Sequence, residues 1–201
     1  MNVEHNPSAL LRTWNLFDTY VRRPLSGERS TAAFWYRPDP PNIVDREVHS
    51  TYLAMQPSPF YPIDYRTRTT FEIGSHPAGI LTLPYPKPIG EQINPEAAFQ
   101  YALGWHDIHV REHNADAIKP FLHHAAYFRD RQNAMGDFPY EFDWFESRAP
   151  WHSALAQSRG ASVMLRAYLL SGKKDYVVAA KQAFKRFSIR CEDGGYSAIF
   201  P

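Results

Sequence analysis

Apolar residues recur at helical spacing through the second half of the chain and in one short stretch of the first. Asn94-Pro95-Glu96 reads as a helix start: Asn94 can cap, Pro95 suits the first helical position, and Glu96 faces the positive end of the dipole. Phe99, Leu103, His106 and Val110 then predict a helix to about His113. A second helix is expected from Ala115 or Lys119 to Gln132, with Ile118, Phe121, Leu122, Ala125 and Phe128 inward. A third covers Trp151 to Leu170, ends at a Gly172 cap and presents Leu155, Ser162, Leu165 and Leu169 as a core stripe. A fourth covers Asp175 to Phe187, with Tyr176, Ala179, Ala180, Ala183, Phe184 and Phe187 on one face. Between the second and third helices, residues 136–150 form an aromatic-rich loop whose default fate is burial against the helices.

The first half reads differently. Leu10, Leu11, Trp14, Phe17 and Val21 predict one helix over Ser8–Arg23, capped by Ser8. Thirteen of the 17 prolines lie from Pro7 to Pro95, and residues 24–62 read as loops and short extended pieces. Arg66–Ile73 and Gly79–Leu83, rich in β-branched and aromatic residues, suggest a short β-hairpin or two edge strands. The expected organisation is a Pro-rich segment, 1–93, and a mainly α region, 94–201, of αα-hairpins that belong to a solenoid or to part of an α/α toroid.

Composition narrows the partners. Lys and Arg number 22 against 21 Asp and Glu, a net charge of +1, which argues against nucleic acid or an anionic membrane face. No apolar run approaches the ~20 residues needed for a membrane span, and Met1–Leu10 lacks a secretory pattern, which points to the cytoplasm. A lone Cys191 excludes an internal disulfide. Aromatic residues make up 15% of the chain, compatible with a sugar-binding cleft and equally with a thick core.

Four ordered segments carry more. They are Tyr61-Pro62-Ile63-Asp64-Tyr65-Arg66-Thr67-Arg68, the run from Asn94 to Gly104, Trp151-His152-Ser153-Ala154-Leu155-Ala156-Gln157-Ser158, and Leu165-Arg166-Ala167-Tyr168-Leu169-Leu170. This set, with the turn Gly194-Gly195-Tyr196, resembles the D-glucuronyl C5-epimerase family, which inverts C5 of glucuronate in heparosan-type polysaccharides. The resemblance implies an α/α toroid, a uronate-containing glycan as partner, and no metal or organic cofactor. The chain departs from the family in lacking the β-domain of the animal enzymes with its calcium site, and in carrying Ser158 where glycine is usual. It also stops at Pro201, before the family's catalytic Glu-Tyr pair. The expectation is a chain that epimerises very poorly alone, completed by a second copy or by a separate chain.

The chemistry selects residues independently. Epimerisation at C5 removes a proton α to a carboxylate and returns one to the other face, so the site needs two acid/base groups and strong donors at the carboxylate. Arginine suits the second task because its planar fork meets both oxygens. The candidate substrate-binding groups are Arg66, Arg68, Gln157 and Arg159, and Tyr61, Tyr65 and His152 are candidate proton carriers. Gln157 and Arg159 are two apart on one helix, so at most one lines a groove, and the resemblance favours Gln157. Each has a plain alternative: a solvated Arg pair on an edge strand, packing tyrosines, a glutamine at a close helix contact, a surface histidine.

One rival motif competes. His109-Val110-Arg111-Glu112-His113 has the His-x-x-Glu-His order of inverzincin metallopeptidases, with two histidines at i and i+4. It falls in a polar last turn, with no aliphatic stripe to dehydrate a metal. A third alternative is a non-catalytic glycan-binding or scaffold half-domain.

Overall fold

A computed structural model describes residues 9–35 and 61–197. The expected Ser8 cap, the Pro-rich stretch 36–60 and the extended segment from Ala198 to Pro201 lie outside the described residues. Mainly helical elements dominate, with one two-stranded antiparallel sheet.

Helix α1 spans Ala9–Phe17 and runs through a π turn, Asp18–Arg22, into α2, Arg23–Ser26, where Gly27 at φ 73° ends it. Its apolar positions stay exposed, Leu10 and Trp14 among them. Helix α3, Thr31–Trp35, places Phe34 in the core.

The hairpin forms later in the chain than its β-branched residues suggest. Strand β1 is Leu83–Pro84 and β2 is Glu91–Gln92, with Leu83 opposite Gln92. Arg66–Thr70 is instead a 3-10 helix, so Arg66 and Arg68 do not alternate along a strand. Local polar bonds explain the difference. Asp64 accepts from the Arg66 amide at 3.0 Å, and the Thr69 and Thr70 hydroxyls donate to carbonyls three residues back at 2.7 and 3.1 Å. These bonds satisfy the backbone in a tight turn and remove the advantage of a ladder.

Helix α4, Pro95–Arg111, starts as expected, with Asn94 Oδ1 accepting from the Ala97 amide at 3.1 Å. Helix α5, Ile118–Arg131, is its antiparallel partner. Helix α6, Ala154–Ser171, begins three residues after Trp151, capped by Ser153, and stops at Gly172 with φ 70°. Helix α7, Lys174–Lys185, pairs with α6. The result is two αα-hairpins, with α4 and α6 in contact across them.

The face of α6 differs from the expected stripe. Leu155, Leu165 and Leu169 are exposed, Leu169 by 74%, and the inward face is Ala156, Gln157, Gly160, Ala161, Val163, Met164 and Ala167. Size decides this. A Cβ on Gly160 would sit 2.4 Å from the Phe138 ring and 2.8 Å from Phe99, so small residues turn inward to admit the aromatics of α4 and the loop. Phe184 on α7 is likewise exposed, while Tyr176, Ala179, Ala180 and Ala183 face the core. Phe138, Tyr140 and Phe142 of the aromatic loop are buried, as their size favours.

Candidate functional site

The first turns of α4 build the floor of a cleft. Asn94, besides capping, donates through Nδ2 to the Tyr85 hydroxyl at 2.7 Å. Glu96 is 5% exposed, and its Oε1 accepts from Gln100 Nε2 at 2.8 Å, one helical turn on. The same oxygen accepts from Arg159 Nη1 on α6. Arg159 then reaches the older part of the chain, where its Nε donates to the Tyr65 hydroxyl at 3.0 Å. The Tyr61 ring lies beside that of Tyr65, the two ring centres 5.6 Å apart. A single guanidinium therefore joins a carboxylate and a phenol from separate segments, with the second phenol beside the first.

Aromatic rings form the walls. Residues 140 and 151 pair as an isolated bridge, with amide-to-carbonyl distances of 2.7 and 3.2 Å. That pairing stacks the Tyr140 ring on Trp151 at 3.9 Å and 13°. Trp151 is further fixed by its Nε1 donating to Phe142 O at 2.7 Å. The open cleft holds ≈ 360 Å³, and Glu96, Gln100, Arg159, Tyr140, Trp151 and Tyr85 line it.

Burial sets the electrostatics. It raises the Glu96 carboxyl above the usual carboxylate range, against the opposing pull of Arg159 and Gln100. Burial also pushes the Tyr65 hydroxyl up to about 12, although Arg159 works the other way. Tyr61 and Tyr140 shift upward for the same first reason. The phenols are thus proton-bearing at neutral pH, beside a carboxylate that is more basic than an exposed one.

The structure brings Tyr61, Tyr65 and Arg159 together and distributes the other candidates elsewhere. Arg66 pairs with Asp64 at 2.7 Å and Glu112 at 3.0 Å on the outer surface. Arg68 is buried with its guanidinium 4.8 Å from the Phe34 ring centre. Gln157 is buried and braces backbone: its amide accepts from Phe138 N at 3.2 Å and donates to Gly136 O and, at 3.3 Å, to Ala183 O. His152 is exposed, with Nε2 3.3 Å from Arg186, whose Nε holds Asp137 at 2.7 Å. Of the two residues on α6 that could not both line a groove, Arg159 is the one that does.

Sequence reasoning missed Glu96, Gln100, Tyr140 and Trp151. Glu96 was legible only as a partner of the dipole, yet Glu96, Phe99, Gln100 and Leu103 continue the inward arc of α4, and charged groups on such an arc mark a buried network. The metallopeptidase geometry does not form. Helix α4 ends at Arg111, His113 takes a left-handed φ of 54°, and Glu112 is held by Arg66. Among the described residues no group of three or more His, Cys, Asp or Glu side chains suits a metal ion.

Residues 132–201 match the family model described as D-glucuronyl C5-epimerase C-terminus. The matched segment is 70 of the 201 residues, and over it the chain is similar to the C-terminal part of that family. A stretch of 50 residues is 42% identical to the D-glucuronyl C5-epimerase of Caenorhabditis elegans, covering 25% of this chain and 8% of the worm protein. No solved structure matches the chain. Tyr140, Trp151, Gln157 and Arg159 fall inside the family segment, whereas Tyr61, Tyr65 and Glu96 come from outside it and meet it at Arg159. No described helix is long and apolar enough to cross a membrane.

Proposed function

We propose that this chain is a glucuronyl C5-epimerase-like protein that takes a uronate residue of a polysaccharide into the Arg159 cleft, and that its αα-hairpins form part of an α/α toroid. The observation that carries the reading is the convergence of Glu96 and Tyr65, with Tyr61 beside it, on one guanidinium in a cleft walled by Tyr140 and Trp151. Epimerisation calls for a basic group and a proton-bearing group whose environments push their pKa values apart. A buried carboxylate beside raised phenols is such a set. The flat ring pair offers a stacking surface for the apolar face of a sugar, and the similarity of residues 132–201 to the epimerase family supports uronate as the substrate class.

The engagement of Arg159 by protein groups favours a second reading. Its Nε holds Tyr65 and its Nη1 holds Glu96, so it orders the site rather than offering a free fork, and Tyr65 is only 2% exposed. That arrangement suits a glycan-binding module without turnover. Deuterium incorporation at C5 of heparosan oligosaccharides separates the two. Exchange that disappears in Glu96→Gln supports the epimerase, and binding without any exchange assigns the module.

A further inference from the structure

The described residues contain a second and larger cleft, ≈ 460 Å³, on the other side of the same wall. Segments 91–96 and 138–141 divide their side chains between the two. Asn94, Glu96 and Tyr140 face the first cleft, and Gln92, Ile93, Pro139 and Glu141 face the second. Its far side is α5, which contributes Tyr127 and Arg131, spaced i and i+4 and so on one helix face.

Arg131 differs in kind from the guanidinium of the first cleft. Arg159 is buried and neutralised by Glu96. Arg131 is exposed, and among the described residues it makes no ion pair and no hydrogen bond; its guanidinium lies 3.9 Å from the centre of the Tyr127 ring. The ring contact holds the fork in place while leaving its N–H groups open, which is the state suited to meeting a carboxylate with two bonds. His76 braces the same ring edge-on at 5.9 Å. Two carboxylates share the lining. Glu91 is engaged by Arg29 at 3.0 Å and by the Thr82 hydroxyl at 2.5 Å. Glu141 remains an exposed acceptor, a group that suits sugar hydroxyls.

We propose that the Tyr127–Arg131 cleft is a second glycan subsite, which holds a uronate by its carboxylate on Arg131 and a ring hydroxyl on Glu141. The inference rests on the uronate-glycan reading above and adds to it the cation that the first cleft does not leave free. A polymer gripped at both clefts presents one sugar to the Arg159 array while a neighbouring acidic sugar sits at Arg131.

The test uses the full chain and two probes: an octasaccharide of alternating glucuronate and N-acetylglucosamine, and the same octasaccharide with its carboxylates reduced to alcohols. Calorimetry should give the uronate probe about a tenfold advantage on the unaltered protein, equivalent to ~1.4 kcal/mol. Arg131→Gln should remove that advantage by weakening the uronate probe alone, and Arg131→Lys should keep part of it, with the melting temperature unchanged in both. Equal affinity of Arg131→Gln and the unaltered protein for the uronate probe overturns the subsite and leaves the Arg159 reading intact. Failure of the unaltered protein to bind either probe overturns both.

Discussion

Arg159 reaches back 94 residues to hold the Tyr65 hydroxyl at 3.0 Å from its Nε, while its Nη1 closes on Glu96. The contact ties the family segment to the 3-10 turn and to the start of α4, so cleft geometry and stability depend on one side chain.

Removing that side chain isolates a buried carboxylate. Arg159→Met should lower unfolding stability by about 3–5 kcal/mol, because Glu96 loses its counter-charge while remaining out of water. The double variant Glu96→Gln/Arg159→Met should recover a substantial part of the loss. Urea titration of the four proteins completes the cycle. A double variant no more stable than Arg159→Met would show that the two groups are not coupled.

Gln157 acts as a brace, with a different signature from a ligand contact. Gln157→Leu keeps the volume but leaves Phe138 N–H without its acceptor and takes one amide donor from Gly136 O and Ala183 O, of which Gly136 O keeps Gln132 Nε2 at 2.9 Å. The expected cost is about 2 kcal/mol, with the buried Phe138 N–H left unmet. Octasaccharide affinity of the folded fraction should stay within about twofold, whereas a direct sugar contact would lose tenfold or more for little stability.

Periodicity made the four C-terminal helices and the Asn94 start legible, because apolar spacing and capping chemistry are local. It failed where packing partners decide. On α6 leucines read as core, but the Phe138 and Phe99 rings leave room only for Gly160 and Ala161. At 66–70 β propensity lost to hydroxyls that bond their own turn. Tyr61, Tyr65 and Arg159 were named from the sequence. Glu96 was not named as a partner, since a salt bridge across 63 residues leaves no local trace.

Trp151 offers the larger face of the ring pair, and its indole is anchored at Phe142. Trp151→Phe should retain most glycan affinity by preserving a flat apolar surface. Trp151→Ala should weaken the octasaccharide by roughly tenfold, in the range of one aromatic contact. Binding unchanged in Trp151→Ala would remove this wall from the recognition surface.

His124 makes the fold sensitive to acid. The ring is 1% exposed; the Leu81 amide donates to its Nε2 at 3.2 Å, and its Nδ1 lies 2.9 Å from the Pro120 carbonyl. A carbonyl only accepts and an amide only donates, so the ring must be neutral with its proton on Nδ1. Protonating Nε2 would set a donor against a donor. Burial accordingly lowers the pKa to about 4, below the ordinary 6.5. The unfolded chain then binds the extra proton first as pH falls, so stability is full above about 6.5 and declines towards 4, by about 3 kcal/mol. His106, lowered first by burial, adds in the same direction. Denaturant titrations from pH 7.5 to 4 should show this decline, and His124→Gln, less stable at pH 7.5, should show a shallower one. An equally steep decline in the variant would place the acid sensitivity on other groups.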